Sequence, residues 1–352
     1  MNVLISDISS FKAIVICKYL KERYGNVNIF SFDTRPFTRY FRTKYSDKHY
    51  IIEQSAYLES VLDILRKDNI DLFIPIHSSE MDIILQNKDK AEKALAYWGS
   101  FESFGILNDK NRLYELAKGL NINVPKRYNN IEEAQVQCVI KPVNQSSAKG
   151  VRYFFDQEKL DEAKSDLGSK KDIIIQEYIP GEGVGYSVFA KNGKIINGFG
   201  HKRLAEYPIS GGSSVYRESY ENEEIRSIAE KLLFATQWSG FAMFEFKLTP
   251  DNEIYLIEVN PRIWGSINQG LQNGINYFED ILGKASFVTN SDKRDVKTYL
   301  SPLIYLSLIK YLQQLNFKPL LTFIGNAFHN RADVNIFSDF KGWLGTILRK
   351  FT

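Results

Sequence analysis

Four residues in the last third of this chain could do metal and phosphate chemistry: Glu245, Glu258, Asn260 and Arg262. They lie on two runs rich in β-branched and aromatic residues, ending FEFKLT and beginning IYLIEVNPR, either side of the turn signal Pro250-Asp251-Asn252-Glu253. That pattern predicts an antiparallel hairpin with a four-residue loop. Closing it with Thr249 opposite Ile254 sets Glu245 directly across from Glu258. Like charges facing each other on a sheet are unfavourable, and a divalent cation between them removes the conflict. Alternation puts Glu258 and Asn260 on one face, and Arg262 follows if the chain stays extended. Hard oxygen ligands suit Mg2+, which binds one or two carboxylates plus substrate phosphates. The arginine would meet phosphate oxygens as a bidentate donor. A hairpin that merely exposes two acids and an arginine would have the same sequence, so the elements around it must decide.

At 352 residues the chain can hold two or three domains with good cores. A net charge of +3 is too small to argue for nucleic acid. The two cysteines, Cys17 and Cys138, form neither a disulfide framework nor a metal spacing, which points to a reducing cytosol. The N-terminal VLISDIS has no basic or apolar leader, so no signal peptide is expected and the expected location is cytoplasmic. The most apolar late stretch, Tyr299 to Leu312, contains Pro302 and Lys310 and is too short to span a bilayer.

Residues 1–105 alternate strand and helix. NVLIS, VNIFSFD and IDLFIPI read as strands, and Phe11 to Tyr24, Ala56 to Lys67 and Met81 to Tyr97 as helices. This alternation predicts a doubly wound parallel sheet. The first strand–helix turn, SDISS, lacks G-x-G-x-x-G, so NAD is not expected, and Asp33 is assigned a turn or capping role. His77 and Glu80 follow a strand at the carboxyl edge, where such sheets bind ligands, but a capping or surface role fits each of them better.

After a helix at Lys110 to Leu120, the strand Cys138 to Pro142 delivers Lys141 at its end, and the small polar segment Asn144 to Gly150 leads into VRYFF. A loop of this kind can fold over phosphates and offer them backbone N–H groups, with Lys141 adding a point charge. IIIQEYI is a strand ending in the turn or hinge PGEGVG, where backbone groups beside Glu177 could pair with an adenine edge. YSVFA and KIINGFG form a hairpin around Asn192-Gly193. His201, Lys202 and Arg203 near Gly211-Gly212 suit an anionic ligand or a solvated loop equally. Glu221 to Thr236 is a helix under the closing hairpin.

In this order the parts resemble the ATP-grasp superfamily of carboxylate-amine and carboxylate-thiol ligases, over roughly residues 1–285. The motifs are NDK, IKP, NQSSAKGV, QEYIPGEG and E-x-N-P-R. The resemblance implies an ATP-grasp fold of mixed α/β and α+β class after a doubly wound parallel-sheet domain. The expected division is 1–105, then a grasp domain at 106–285 with a lid at about 120–185 and a core at about 186–285, then a helical extension at 286–352. It also implies ATP and Mg2+, with Mn2+ as a substitute. Lys110 and Lys141 would be the nucleotide-phosphate lysines, and the segment with Ser146, Ser147 and Gly150 the phosphate loop, which here has serines and alanine where many members have glycines. Glu177, Tyr178 and Ile179 would hold adenine, and Glu182 is the nearest match to a ribose-binding acid. Glu245, Glu258 and Asn260 match the metal ligands and Arg262 the phosphate-binding arginine, while Arg203 would hold the acyl phosphate or substrate carboxylate.

The implied reaction phosphorylates a carboxylate with ATP and passes the acyl group to an amine. The expected partners are therefore a small-molecule carboxylate and amine, with a homodimer as a further expectation. A bicarbonate-activating or carbamoyl-phosphate-type enzyme is the alternative within enzymes. A catalytically silent nucleotide-binding protein is the other, and it should have lost one of Lys141, Glu245, Glu258, Asn260 or Arg262. Residues 286–352 lie outside the resemblance. In their tail Trp343, Leu344, Ile347 and Leu348 recur at helical spacing near Lys341, Arg349 and Lys350. Packing on the core is the favoured reading, and contact of this tail with a membrane surface the sharper one.

Overall fold

The computed structural model describes residues 1–91, 93–143, 150–167, 172–209, 211–284 and 296–351. Three sheets organise it. The first contains β1 (Asn2–Ile5), β2 (Asn28–Asp33), β3 (Lys48–Ile51) and β4 (Leu72–Ile74), all parallel, in the order β3-β2-β1-β4. Its helices are α1 (Phe11–Arg23), α2 (Tyr57–Lys67) and α3 (Ser78–Gln86). β1 and β4 are continuous apolar runs buried on both faces, as a covered parallel sheet requires.

The expected helix from Met81 to Tyr97 ends instead at Gln86. Asn87 Nδ2 donates to the Ile83 carbonyl (3.0 Å) and stops it. The chain then turns so that the Ala94 carbonyl accepts the N–H of Phe73 in β4 (2.9 Å), and buried Trp98 donates its indole N–H to the Phe73 carbonyl (2.9 Å). Tertiary pairing overrides helix propensity here. β3, whose residues are mostly half-buried, has too short a pattern to announce itself.

Helices α4 (Phe101–Asn108) and α5 (Lys110–Gly119) lead to a four-stranded antiparallel sheet of order β5-β8-β6-β7. Its strands are β5 (Arg127–Tyr128), β6 (Cys138–Pro142), β7 (Arg152–Phe154) and β8 (Ile173–Glu177), with α6 (Gln157–Leu167) between β7 and β8. A small apolar core of Ile131, Cys138, Ile140, Phe154, Leu160 and Ile175 holds this sheet and α6 together.

The third sheet has seven strands in the order β13-β12-β9-β10-β11-β14-β15. They are β9 (Glu182–Lys191), β10 (Lys194–Tyr207), β11 (Ser213–Ser219), β12 (Gly240–Leu248), β13 (Ile254–Asn260), β14 (Lys297–Tyr299) and β15 (Asn330–Ala332), with α7 (Glu223–Thr236), α8 (Ile267–Gln272) and α9 (Glu279–Leu282). The Asn192-Gly193 turn between β9 and β10 has φ of 48° and 74°, the positive pair that a tight hairpin demands. The expected hinge PGEGVG is shorter than its motif, because β9 already begins at Glu182.

The C-terminal segment contains α10 (Leu303–Gln313), α11 (Lys318–Gly325) and α12 (Phe340–Leu348) and is not purely helical, since β14 and β15 extend the third sheet. A fully buried Arg217–Asp333 ion pair ties it down. Arg217 also donates to Thr298 Oγ1 and the Ser214 carbonyl (2.9 Å each), and Asn268 Nδ2 donates to Asp333 Oδ1 (3.2 Å). Burying such a pair stabilises only when the remaining polar atoms are met, as they are here. The first and third sheets share one hydrophobic core. Trp98, Trp238, Phe241 and Phe104 meet within it at centroid distances of 5.6 to 6.3 Å.

Candidate active site

Glu245 does face Glu258, by a different register from the one expected. At the turn, Leu248 pairs with Ile254, one residue earlier than the closure Thr249 opposite Ile254. A bulge between the Glu245 and Phe246 pairings then inserts Ile257 into β13 and restores the Glu245–Glu258 pair. Bulges re-aim side chains in this way beside sites. Asn260 Nδ2 donates to Glu245 Oε1 (3.2 Å) and Glu258 Oε1 (3.1 Å), so the amide bridges the acids. Arg262 Nη2 donates to Asn260 Oδ1 (2.7 Å), and Arg262 Nε donates to Ser78 Oγ of α3 (2.9 Å). Burial, and next the charge of Glu258, push the Glu245 carboxyl above its usual range, against the pull of Arg203.

These residues line one cavity of 530 Å³ at the meeting of the three sheets. Lys141 enters it from the end of β6, nearly buried, and burial lowers its amine to about 8. Lys110, the first residue of α5, lines the same cavity and donates to the Val143 carbonyl (3.1 Å). Glu177, Tyr178 and Ile179 line it at the end of β8. Two of their groups are already engaged: Glu177 Oε1 accepts the Lys126 N–H (2.7 Å), and the Tyr178 N–H goes to the Gln137 carbonyl (2.7 Å). Val139, Met243, Phe246 and Ile257 add apolar walls that sequence reading missed. They look like ordinary strand residues, and only the facing of lid and core sheets gives them a role.

Arg203 on β10 reaches in and pairs with Glu245, with further donation to Glu206 Oε1 (3.3 Å) and the Gly212 carbonyl (3.4 Å). Its buried Nε has no partner among the described residues. Strand alternation separates the HKR triplet. His201 also faces the cavity, its Nε2 3.3 Å from Ser266 Oγ, and burial followed by the charges of Arg203 and Arg217 lowers it to about 3. Its imidazole therefore favours the neutral form at pH 7. Lys202 points the other way and pairs with Glu182. Glu182 does not line this cavity, so the structure does not bring the nearest match for a ribose acid to the rest. Gly150 is exposed with φ of 72° and also lies off the cavity, while Ser146 and Ser147 lie outside the described residues.

Asp33 takes the turn role expected of it, and His77 and Glu80 the capping role. Asp33 accepts from Ser9 N, Ser9 Oγ, Arg35 N and Arg35 Nη1, which organises the turn after β1. His77 and Glu80 form a capping box on α3. His77 does more as well. It contacts Asp7, and its Nε2 lies 3.0 Å from Arg349 Nη2, at the end of α12. Arg349 also pairs with Asp7, so the last helix closes a wall of the cavity. Asp339 caps α12 and accepts from Thr43, and a Cβ at Gly345 would lie 2.3 Å from the Phe41 carbonyl oxygen, so only glycine permits this approach. The tail helix is therefore packed on the first domain, with Trp343 against the shared core.

Residues 107–266, which carry the facing acids, both lysines and the lid, match the family model of the ATP-grasp domain. The chain has the ATP-grasp fold over those residues. It is 28% identical over 167 residues to a D-alanine–D-alanine ligase of Fusobacterium nucleatum, covering 44% of this chain and 56% of that protein. It is 20% identical over 235 residues to the carbamoyl phosphate synthase large chain of Clostridium acetobutylicum, covering 62% of this chain and 22% of that one. The chain thus spans about half the length of the first relative and less of the second. The crystal structure of an L-amino acid ligase from Bacillus licheniformis superposes with a TM-score of 0.60 at 17% identity, covering 84% of this chain and 78% of that one, and shows the shared fold. The parallel sheet of β1–β4 precedes the ATP-grasp domain in the chain.

Proposed function

We propose that this chain is an ATP- and Mg2+-dependent ligase that activates a carboxylate as an acyl phosphate and joins it to an amine. The observation carrying this reading is that Glu245, Glu258 and Asn260 share one cavity with Lys110, Lys141, Arg203 and Arg262. The donor set fits Mg2+. Two carboxylates and an amide offer hard oxygens, and the two carboxylates face each other across the hairpin. Among the described residues no three His, Cys, Asp or Glu side chains converge as a metal site. Held by Glu245, Glu258 and Asn260, Mg2+ would neutralise charge on the nucleotide phosphates. Turning the Asn260 amide over would present its oxygen where its NH2 now bridges the acids.

Adenine would lie between Val139, Phe246 and Ile257, against the Glu177–Ile179 edge. Lys110 and Lys141 would hold phosphates. The substrate carboxylate attacks the γ-phosphorus and ADP leaves. The amine nitrogen then attacks the carbonyl carbon of the acyl phosphate, the C–O bond to phosphate breaks, and inorganic phosphate and the amine proton depart. Arg203 and Arg262 would position the acyl phosphate and offset its charge. Lys12, Arg349 and Lys350 also line the cavity, which suits a substrate bearing its own anionic group. Burial and the charge of Arg262 hold Lys12 well below an ordinary lysine, as expected where cations crowd.

The similarity to a carbamoyl phosphate synthase large chain keeps bicarbonate as the second carboxylate to test. The experiment supplies Mg-ATP with pooled amino acids, dipeptides, sugar acids or bicarbonate, and hydroxylamine as the amine. ADP release with hydroxamate formation in an organic-acid pool supports the ligase. ADP release with bicarbonate alone supports the carboxylase-type reading, and ADP release in no pool opposes both.

A further inference from the structure

We infer that the outer face of the α10–α11 hairpin docks on an anionic lipid surface. Both helices turn an inner face to the same small core. Ile304 and Leu308 of α10, with Leu320 and Phe323 of α11, pack there against Ala205, Val215 and Tyr216 of the third sheet. Their outer faces, pointing away from that core, are apolar too. Leu306 and Ile309 on α10, Leu315 in the connecting turn, and Leu321, Ile324 and Phe328 on and after α11 are 45%, 51%, 78%, 66%, 61% and 92% exposed. A helix that is apolar all round is normally covered on all sides, and a contiguous exposed patch of this kind marks an interaction site.

Charge selects the occupant. From residue 296 to 351 the exposed ionic side chains among the described residues are all basic: Lys310, Lys318, Arg331, Lys341 and Lys350. The two acids of this stretch, Asp333 and Asp339, are buried and bonded to Arg217 and to Thr43. Lys310 and Lys318 flank the apolar face directly. Large apolar side chains beside lysines, with no carboxylate among them, match a lipid boundary carrying negative headgroups. A second copy would bring the same face and only more lysines. No helix among the described residues is long and apolar enough to cross a membrane, so the contact is peripheral. The surface lies on α10–α11, whereas α12, the segment whose helical spacing first suggested such contact, is packed on the first domain. Nothing in this inference depends on the proposed ligase reaction.

Co-sedimentation tests it, with vesicles of phosphatidylglycerol and phosphatidylcholine in equal parts and with pure phosphatidylcholine vesicles. The full chain should pellet with the anionic vesicles and stay in solution with the neutral ones. The double variant Leu321→Glu, Ile324→Glu should lose binding while its circular dichroism is unchanged. Lys310→Gln with Lys318→Gln should weaken binding about thirtyfold, each lysine contributing about a factor of five to six. Equal recovery of wild type and the Glu double variant in the supernatant overturns the inference. So does a concentration-dependent dimer that the same substitutions disperse without any vesicle binding, because the face is then covered by a second copy. Equal pelleting with neutral vesicles also overturns it.

Discussion

Glu245 faces Glu258 across β12 and β13 because Ile257 is an extra residue in β13. Without that bulge the Leu248–Ile254 closure would set Glu245 opposite Ile257, and the alternation of β13 would turn Glu258 to the other face. The bulge builds a like-charge pair that Asn260 Nδ2 and Arg203 offset in the ligand-free chain.

Glu258→Gln should therefore reduce turnover at least about a hundredfold while the melting temperature holds or rises, since it removes a facing like charge. ADP release and thermal unfolding measured on one preparation check both halves. Retained turnover would remove Glu258 from the metal site.

Much of this site was legible in the sequence because strand alternation and turn residues carry it. Lys141, Glu245, Glu258, Asn260 and Arg262 needed only two hairpins placed in the right order. The facing acids came out correctly although the loop closure was off by one, because a bulge leaves no mark in composition. Helix ends at Arg23, Lys67 and Thr236 fall within a residue of their sequence signals. The end at Gln86 does not, since it is decided by Trp98 and Ala94 packing on β4. Least legible was Arg349, whose partners Asp7 and His77 lie 342 and 272 residues away in sequence. No local pattern announces such a contact. His201 was visible as a base in a basic triplet, but its neutrality follows from burial that only the fold creates.

Lys141 sits at about 8 through burial, with the positive charges of Lys110 and Arg127 contributing. Phosphates favour its charged form, so nucleotide binding should raise that value. Above about pH 8 binding should take up a proton, and affinity should fall as pH rises. Calorimetry with ADP at pH 8.5, in two buffers of different ionisation enthalpy, reads the uptake directly. Its loss in Lys141→Met identifies the lysine, and an unchanged uptake in that variant would assign it elsewhere.

His201 predicts an acid-sensitive fold. Its folded value of about 3 lies below its ordinary 6.5, so the unfolded chain binds the proton more readily. Its contribution to stability is complete above pH 6.5 and declines as pH falls toward 3, by about 1.4 kcal/mol per pH unit. His201→Gln should cost a constant amount near neutrality and lessen the slope below it. His49, lowered to about 4 chiefly by burial, leaves a residual slope. Urea unfolding at pH 7, 6 and 5 checks this, and identical slopes would contradict it.

Arg349→Met should destabilise the chain by about 1–3 kcal/mol. Asp7 is buried yet held well below an ordinary carboxyl: burial opposes this, and the His77 hydrogen bond and Arg349 charge outweigh it. Arg35 (2.9 Å) remains as a partner in the variant, which limits the loss. A depressed carboxyl stabilises above its unfolded value and less as pH falls toward its folded one, so the difference between the two proteins should shrink progressively as pH falls below about 4. Parallel unfolding curves across that range would show that the ion pair adds nothing.

The proposed function stands most directly on Mg-nucleotide binding by the facing-acid cavity. Titration calorimetry of the full chain with ADP, with and without Mg2+, should show binding that Mg2+ strengthens. Lys141→Ala should weaken it, and Glu258→Gln should abolish the Mg2+ effect while leaving metal-free binding intact. Absence of heat with either Mg-ADP or Mg-ATP at about millimolar concentration, a weak affinity of roughly 4 kcal/mol, would contradict the account.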